Sequence, residues 1–171
     1  MSYIKTKLSL KDKDLLNDIF LELEEINIPT TFKTNILNGA HHAVKTGATT
    51  QREARQTLFS KDSKSGKKYP HMMTLFKKFI KSHTYPTGFN FKSVYVNRNV
   101  IAKKHIDSGN VGMSLLVGLG SYTGGRTILY LANGSPKKFH IKTNSIMFNG
   151  SEIPHESEKF KGVRYSLVFF E

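Results

Sequence analysis

Three short stretches of the 171-residue chain carry the residue types of a metal centre: Lys104-His105-Ile106-Asp107, then Pro154-His155-Glu156, then Arg164-Tyr165-Ser166. Two imidazoles and one carboxylate suit a single Fe(II) ion and leave other coordination positions open for reactants. An extended segment places alternate side chains on one face, so His105 and Asp107 point together while Ile106 turns away into apolar packing. His155 follows 48 residues after Asp107, and Arg164 nine after His155. On a strand of their own, Arg164 and Ser166 again share a face and can hold a carboxylate through a guanidinium fork and a hydroxyl. Taken alone, a His-x-Asp pair is more often a hydrogen-bonded surface pair, and a single His155 is unremarkable. The ordered set with Arg164 favours a metal site. Zinc accepts the same donors but leaves Arg164 and Ser166 without a role. No G-x-S-x-G elbow is present, so Asp107 has no serine triad to join.

This series of His-x-Asp, a gap of this size, a distal His and then Arg-x-Ser resembles the 2-oxoglutarate- and Fe(II)-dependent dioxygenase superfamily over residues 91–171, and more loosely over the whole chain. The longer string from His105 to Ser114 (HIDSGNVGMS), followed by Gly120 to Gly125 (GSYTGG), resembles its nucleic-acid-modifying branch, related to the TET and J-binding-protein dioxygenases. The resemblance implies Fe(II) on His105, Asp107 and His155, and 2-oxoglutarate chelated through its keto acid end. It places the far carboxylate on Arg164, with Ser166 and Tyr95 as further contacts, and brings in O2 as the other reactant. The co-substrate would be decarboxylated to succinate while an unactivated C–H bond is oxidised. In such enzymes the metal carries the hard step and the protein positions the reactants. Asn110, Gly112 and Ser114 share a face on a regular strand and would line the substrate side, Gly112 leaving room near iron; ordinary turn and sheet roles compete with that reading.

The composition points to a partner. Lys and Arg number 26 against 13 Asp and Glu, a net charge of +13. An excess of this size suggests a polyanion, most often nucleic acid, DNA or RNA. Residues 1–28 carry four basic and six acidic side chains, whereas residues 52–81 carry nine basic and two acidic. Arg52, Arg55, Lys64, Lys67 and Lys68 are therefore the candidate phosphate contacts, against the plainer reading of a lysine-rich solvated face. The absence of cysteine excludes thiol nucleophiles, Cys-based zinc sites, iron–sulfur clusters and disulfides. The N-terminus has no apolar signal core and no apolar run approaches ~18 residues, so an intracellular chain with no signal peptide and no membrane span is expected.

Residues 9–27 form an amphipathic helix capped by Ser9 and stopped by Pro29. Thr31 to Leu37 suit a short strand, Gln51 to Phe59 a short helix, and residues 60–68 a mobile loop. The neighbouring His41 and His42 point apart on a strand and read as packed or solvent-facing. Pro70 opens a second helix to Ser82. From Phe89 onward, strands are expected near 91–97, 100–107, 111–118, 126–132, 137–142, 145–149, 153–157 and 163–170. Turn pairs at Gly124-Gly125, Asn133-Gly134 and Asn149-Gly150 make this a sandwich or jelly roll. The expected fold class is α+β: a double-stranded β-helix (jelly roll, cupin-like) of about eight strands with N-terminal helices packed on one sheet. Residues 1–171 would form a single dioxygenase domain, with 1–88 as mainly helical support and basic loop and 89–171 as the jelly-roll core. The function expected is oxidation of a methyl group on a nucleic-acid base. A protein or small-molecule hydroxylase of the same superfamily and a non-catalytic nucleic-acid-binding jelly roll are the alternatives.

Overall fold

The computed structural model describes residues 2–28 and 54–171. Its elements are β1 (Tyr3–Lys7), α1 (Leu10–Glu25), β2 (Arg55–Ser60), α2 (Lys64–Lys68), α3 (Pro70–His83), β3 (Ser93–Arg98), β4 (Ser114–Gly124), β5 (Thr127–Tyr130), β6 (Pro136–Phe139), β7 (Asn144–Phe148), β8 (His155–Ser157) and β9 (Phe160–Phe170). Six strands form one sheet in the order β1-β7-β4-β9-β3-β2, and β6-β5-β8 form a second. Every pairing is antiparallel, as in a jelly-roll-like architecture. The Arg52 candidate, the Thr31 to Leu37 strand and the His41-His42 pair lie outside the described residues.

The helices cover one face of the larger sheet. Leu16, Ile19 and Leu23 of α1 recur at helical spacing and join Met72, Phe76 and Phe79 of α3 against Val94, Val96, Leu115, Val117, Leu167 and Phe169. Burying each of these side chains stabilises the fold by roughly 1.5–3 kcal/mol. The start of α1 is a reciprocal capping box, Ser9 Oγ accepting from Asp12 N at 3.0 Å and Asp12 Oδ2 from Ser9 N at 2.9 Å. Asp12 also meets His83 Nδ1 at 2.8 Å, and His83 Nε2 lies 2.6 Å from Ser145 Oγ, all three residues being buried. This polar chain ties α1, α3 and β7 together inside an apolar layer.

On β4 and β9 the side chains alternate between the helix layer and the space between the sheets. Leu115, Val117, Tyr165, Leu167 and Phe169 pack under the helices. Ser114, Leu116, Arg164, Ser166 and Val168 face a cavity of about 370 Å³ between the sheets. One end of that space is closed by an apolar plug of Leu116, Leu129, Phe139, Ile141, Ile146, Phe148 and Ile153.

Several local expectations give way to tertiary contacts. Within 51–59, residues from Arg55 onward form a strand rather than a helix, because β2 completes the ladder of β3 in full register. Residues 60–68 are not a loop throughout: Ser63 caps α2 through Gly66 N, and a Cβ on Gly66 would fall 1.7 Å from Ser60 O. The ladder expected at 100–107 is reduced to one bridge, His105 to His155. Ala102 and Ser157 are also joined, so three steps of one segment oppose two of the other, the count of a bulge. Strand β1 was not anticipated from the sequence. Among the described residues no helix is long and apolar enough to cross a membrane.

Candidate metal centre

His105 sits on the bulged segment and His155 opens β8, and each backbone N–H donates to the other's carbonyl at 3.0 Å. Two residues on, Asp107 N donates to Gly150 O at 2.8 Å, which turns the chain and fixes the carboxylate between the rings. His105 Nε2 lies 3.4 Å from Asp107 Oδ1, and His155 Nε2 lies 3.2 Å from Asp107 Oδ2. Neighbouring ligand atoms around an ion bonded at about 2.1 Å stand on the order of 3 Å apart, so these separations suit one shared ion.

The tautomers suit it as well. His105 Nδ1 lies 2.5 Å from Lys103 O and His155 Nδ1 lies 2.8 Å from Ile153 O. A carbonyl only accepts, so both Nδ1 atoms donate and both Nε2 atoms are left facing Asp107, the atoms through which histidines held in this way coordinate a metal. Hydrogen bonding to Asp107 is the main reason the His105 pKa is raised. Burial alone would raise the Asp107 carboxyl, but the bonds from His105 and His155 outweigh it and hold the group well below the usual carboxylate range.

Space at the cluster depends on a glycine that the sequence marked only as a turn. A Cβ on Gly150 would lie 2.9 Å from Asp107 Oδ2 and 3.5 Å from His155 Cε1. Gly112, expected to leave room there, has no atom nearer than Glu171 Oε2 at 3.9 Å. Ile106 is not packed away as expected. It is 48% exposed and lines the cavity rim, because the turn after the bulge carries it to the surface.

Arg164 lies in the same cavity, 3% exposed. Its Nε donates to Gly125 O at 3.2 Å, and its guanidinium stands 5.6 Å from the Tyr122 ring and 6.0 Å from that of Phe160. Among the described residues no carboxylate pairs with it, and burial pulls its pKa down. A buried cation without a counter-ion is costly, and an incoming carboxylate would relieve that cost. A Cβ on Gly125 would lie 2.9 Å from Arg164 Nε, so that glycine leaves the side chain room, whereas one on its ladder partner Gly120 would meet Val163 O instead. The Tyr122 ring stands over the Arg164 guanidinium, a contact between β4 and β9 that local sequence does not show. Asn99, at φ 57°, accepts Arg164 N through Oδ1 at 3.0 Å and braces the strand.

Ser166 and Tyr95 also line the cavity, Tyr95 stacked on Phe170 with centroids 5.2 Å apart. Gln56 and Asn97, which the motif pattern did not single out, join them. Asn110 and Ser114 line it too, and the Ser114 hydroxyl is buried without a partner among the described residues. The basic candidates divide. Arg55 donates to Ile28 O at 2.6 Å and to Asn27 Oδ1 at 3.5 Å, whereas Lys64, Lys67 and Lys68 are exposed on α2.

No protein-family model matches the chain, and no curated protein does. Among solved structures the chain is similar to a prolyl hydroxylase in complex with a hypoxia inducible factor oxygen degradation domain peptide fragment from Trichoplax adhaerens. That match has a TM-score of 0.60 and 14% identity, and covers 98% of this chain and 83% of that one. It is also similar to OsALKBH1, with a TM-score of 0.59, 10% identity, and 99% and 97% of the two chains covered. An oxidoreductase of the 2OG-Fe(II) oxygenase family from Burkholderia pseudomallei matches with a TM-score of 0.51, 16% identity, and 91% and 89% covered. The fold that holds His105, Asp107, His155 and Arg164 around one cavity is thus shared with that prolyl hydroxylase, with OsALKBH1 and with the member of the 2OG-Fe(II) oxygenase family.

Proposed function

We propose that the protein is an Fe(II)- and 2-oxoglutarate-dependent dioxygenase whose single domain spans residues 1–171. The observation that carries this reading is a buried Arg164 guanidinium, with no carboxylate partner among the described residues, in the same cavity as a His105–Asp107–His155 cluster. The donor set fits iron, and Gly150 leaves the clearance that a Cβ would fill. His105, Asp107 and His155 would hold the ion, Arg164 the far carboxylate of 2-oxoglutarate, and Ser166 and Tyr95 would make the accessory contacts. When bound, the ion would supply oxidation of a C–H bond to C–OH at the expense of O2 and 2-oxoglutarate, which would leave as succinate and CO2, one oxygen atom going to succinate and the other to the product. The chain's own work is positioning. Lys103 O and Ile153 O keep both rings in the liganding tautomer, and Leu116, Phe148 and Val168 wall the cavity against water.

The substrate we propose is a methyl group on a nucleic-acid base, as in the TET/J-binding-protein-like branch. The net charge of +13 supports a polyanion, as do the exposed lysines of α2. That helix packs along β2 through Thr57 Oγ1 and Ser65 Oγ at 2.6 Å, and Gln56 of β2 lines the cavity. Thr57 and Gln56 point to opposite faces of β2, so a backbone held by Lys64, Lys67 and Lys68 would have to pass around the β2 edge of the sheet to reach the cavity. A base reaching the iron from a duplex would have to flip out, at about a few kcal/mol, or come from a single strand.

The test is Fe(II)-dependent conversion of 2-oxoglutarate to succinate, with mass spectrometry of oxidised bases run beside a hydroxylated-peptide screen. Succinate formation abolished by His105→Ala, with an oxidised base and a steep salt dependence of binding, supports the proposal. Full activity in His105→Ala would sink the metal site. Hydroxylated peptide without oxidised base would move the substrate to protein, and salt-sensitive nucleic-acid binding without succinate would leave a non-catalytic binder.

A further inference from the structure

One row of polar side chains crosses three strands on the cavity face. The ladder sets Gln56 of β2 opposite Asn97 of β3, and Asn97 opposite Ser166 of β9. Gln56 Nε2 donates to Asn97 Oδ1 at 2.6 Å, and Asn97 Nδ2 donates to Ser166 Oγ at 3.2 Å. All three residues line the cavity with Arg164. The direction of this chain matters. Gln56 occupies the Asn97 carbonyl and so keeps the Asn97 amide turned with its NH2 toward Ser166. The Ser166 oxygen, having accepted that bond, has its own O–H left to give, and among the described residues no acceptor takes it. Gly118, opposite Ser166 on β4, presents no side chain to compete.

We propose that Gln56 and Asn97 are positioning residues that fix Ser166 as a hydrogen-bond donor to the distal carboxylate of a bound keto diacid, beside the Arg164 guanidinium. This rests on the proposed function. Without the chain the hydroxyl is free to rotate and to present lone pairs instead, which a carboxylate would not accept. Polarisation along successive amides adds to the donor strength of the last member. Gln56 thereby acts on co-substrate affinity from two strands away.

The experiment uses the full chain loaded with Mn(II), a redox-inert probe, titrated calorimetrically with 2-oxoglutarate and with 2-oxobutyrate, which lacks the distal carboxylate. Asn97→Leu and Ser166→Ala are each expected to weaken 2-oxoglutarate roughly tenfold, the effect of one charge-assisted hydrogen bond. The double variant should be no weaker than the weaker single one, because both remove the same interaction. Affinity for 2-oxobutyrate should stay unchanged throughout. Gln56→Leu should weaken 2-oxoglutarate by roughly threefold, and it carries the test if Asn97→Leu does not fold. Wild-type affinity in Asn97→Leu, additive losses in the double variant, or equal losses for both keto acids would overturn the proposal while leaving the dioxygenase reading in place. Failure of the wild-type protein to bind either keto acid would overturn both.

Discussion

Gly150→Ala tests the metal centre through a residue that ligates nothing. Gly150 does not have a left-handed φ, so alanine fits its backbone, and the conflict is confined to the new methyl group. That methyl would stand 2.9 Å from Asp107 Oδ2 and 3.5 Å from His155 Cε1. The atom free to move is the carboxylate oxygen, at the end of a side chain that is 36% exposed. Asp107 should rotate, and the apo fold should survive with a melting temperature equal to or slightly above wild type, since Gly→Ala at a compatible site stabilises by ~0.4–1 kcal/mol. Metal binding should suffer instead. Disturbing the atoms that orient a ligand typically costs about 10–100-fold in affinity. At saturating metal that removes roughly 1.4–2.7 kcal/mol of binding-linked stability. For a chain of this length, ~2–4 °C per kcal/mol makes the metal-induced rise in Tm smaller by about 3–11 °C. Thermal melts with and without Fe(II) or Mn(II), beside a direct metal titration, measure both quantities. A wild-type metal affinity, or a collapse of the apo melting temperature, would refute the reasoning.

Three further outcomes are expected. Arg164→Met should raise the KM for 2-oxoglutarate by at least about 30-fold, since a buried charge partner is worth roughly 2–5 kcal/mol; it should not lower the apo melting temperature, because a buried cation with no carboxylate partner among the described residues is removed. The raised pKa of His105 means that its stabilisation of the apo fold is complete below the ordinary imidazole value and is lost as pH rises through the raised one. Asp107, with a lowered pKa, gives stabilisation that is present above the ordinary carboxylate value and lost as pH falls. Metal binding must expel the His105 proton, so metal affinity measured against pH should climb through that same raised value while apo stability declines. Asp12→Ala should cost roughly 3–5 kcal/mol, because it opens the α1 cap and leaves the buried His83 without its carboxylate partner. Chemical denaturation reads that loss, and the metal titration should stay at wild type.

The candidate residues that the fold brings to one cavity could be named from the chain because their chemistry is carried by type and short-range parity. His105 and Asp107 share a face, Arg164 and Ser166 share another, and these pairs meet across one cavity. Both long helices were legible too, from Ser9 and Pro70 as start signals and from apolar residues at helical spacing. Local sequence could not show that residues 55–60 would pair with β3, since hydrogen bonds to a distant strand outweigh a weak helical preference. Nor could parity show that the bulge would carry Ile106 to the rim, or that Arg55 would be engaged by Ile28.

What the sequence by itself determined is the inventory: two imidazoles, a carboxylate and an arginine in an order and spacing that admit one metal and one anion, within a strongly basic chain. Only the tertiary structure decided which neighbours make that inventory work. Gly150 gives clearance beside Asp107, Gly125 gives clearance beside Arg164, the Tyr122 ring stands over the Arg164 guanidinium, and Gln56 and Asn97 hydrogen-bond in a row to Ser166. The reason is physical. Ligand identity is a property of one side chain, whereas clearance and hydrogen-bond direction belong to pairs of residues far apart in sequence and exist only once the two sheets have closed on each other.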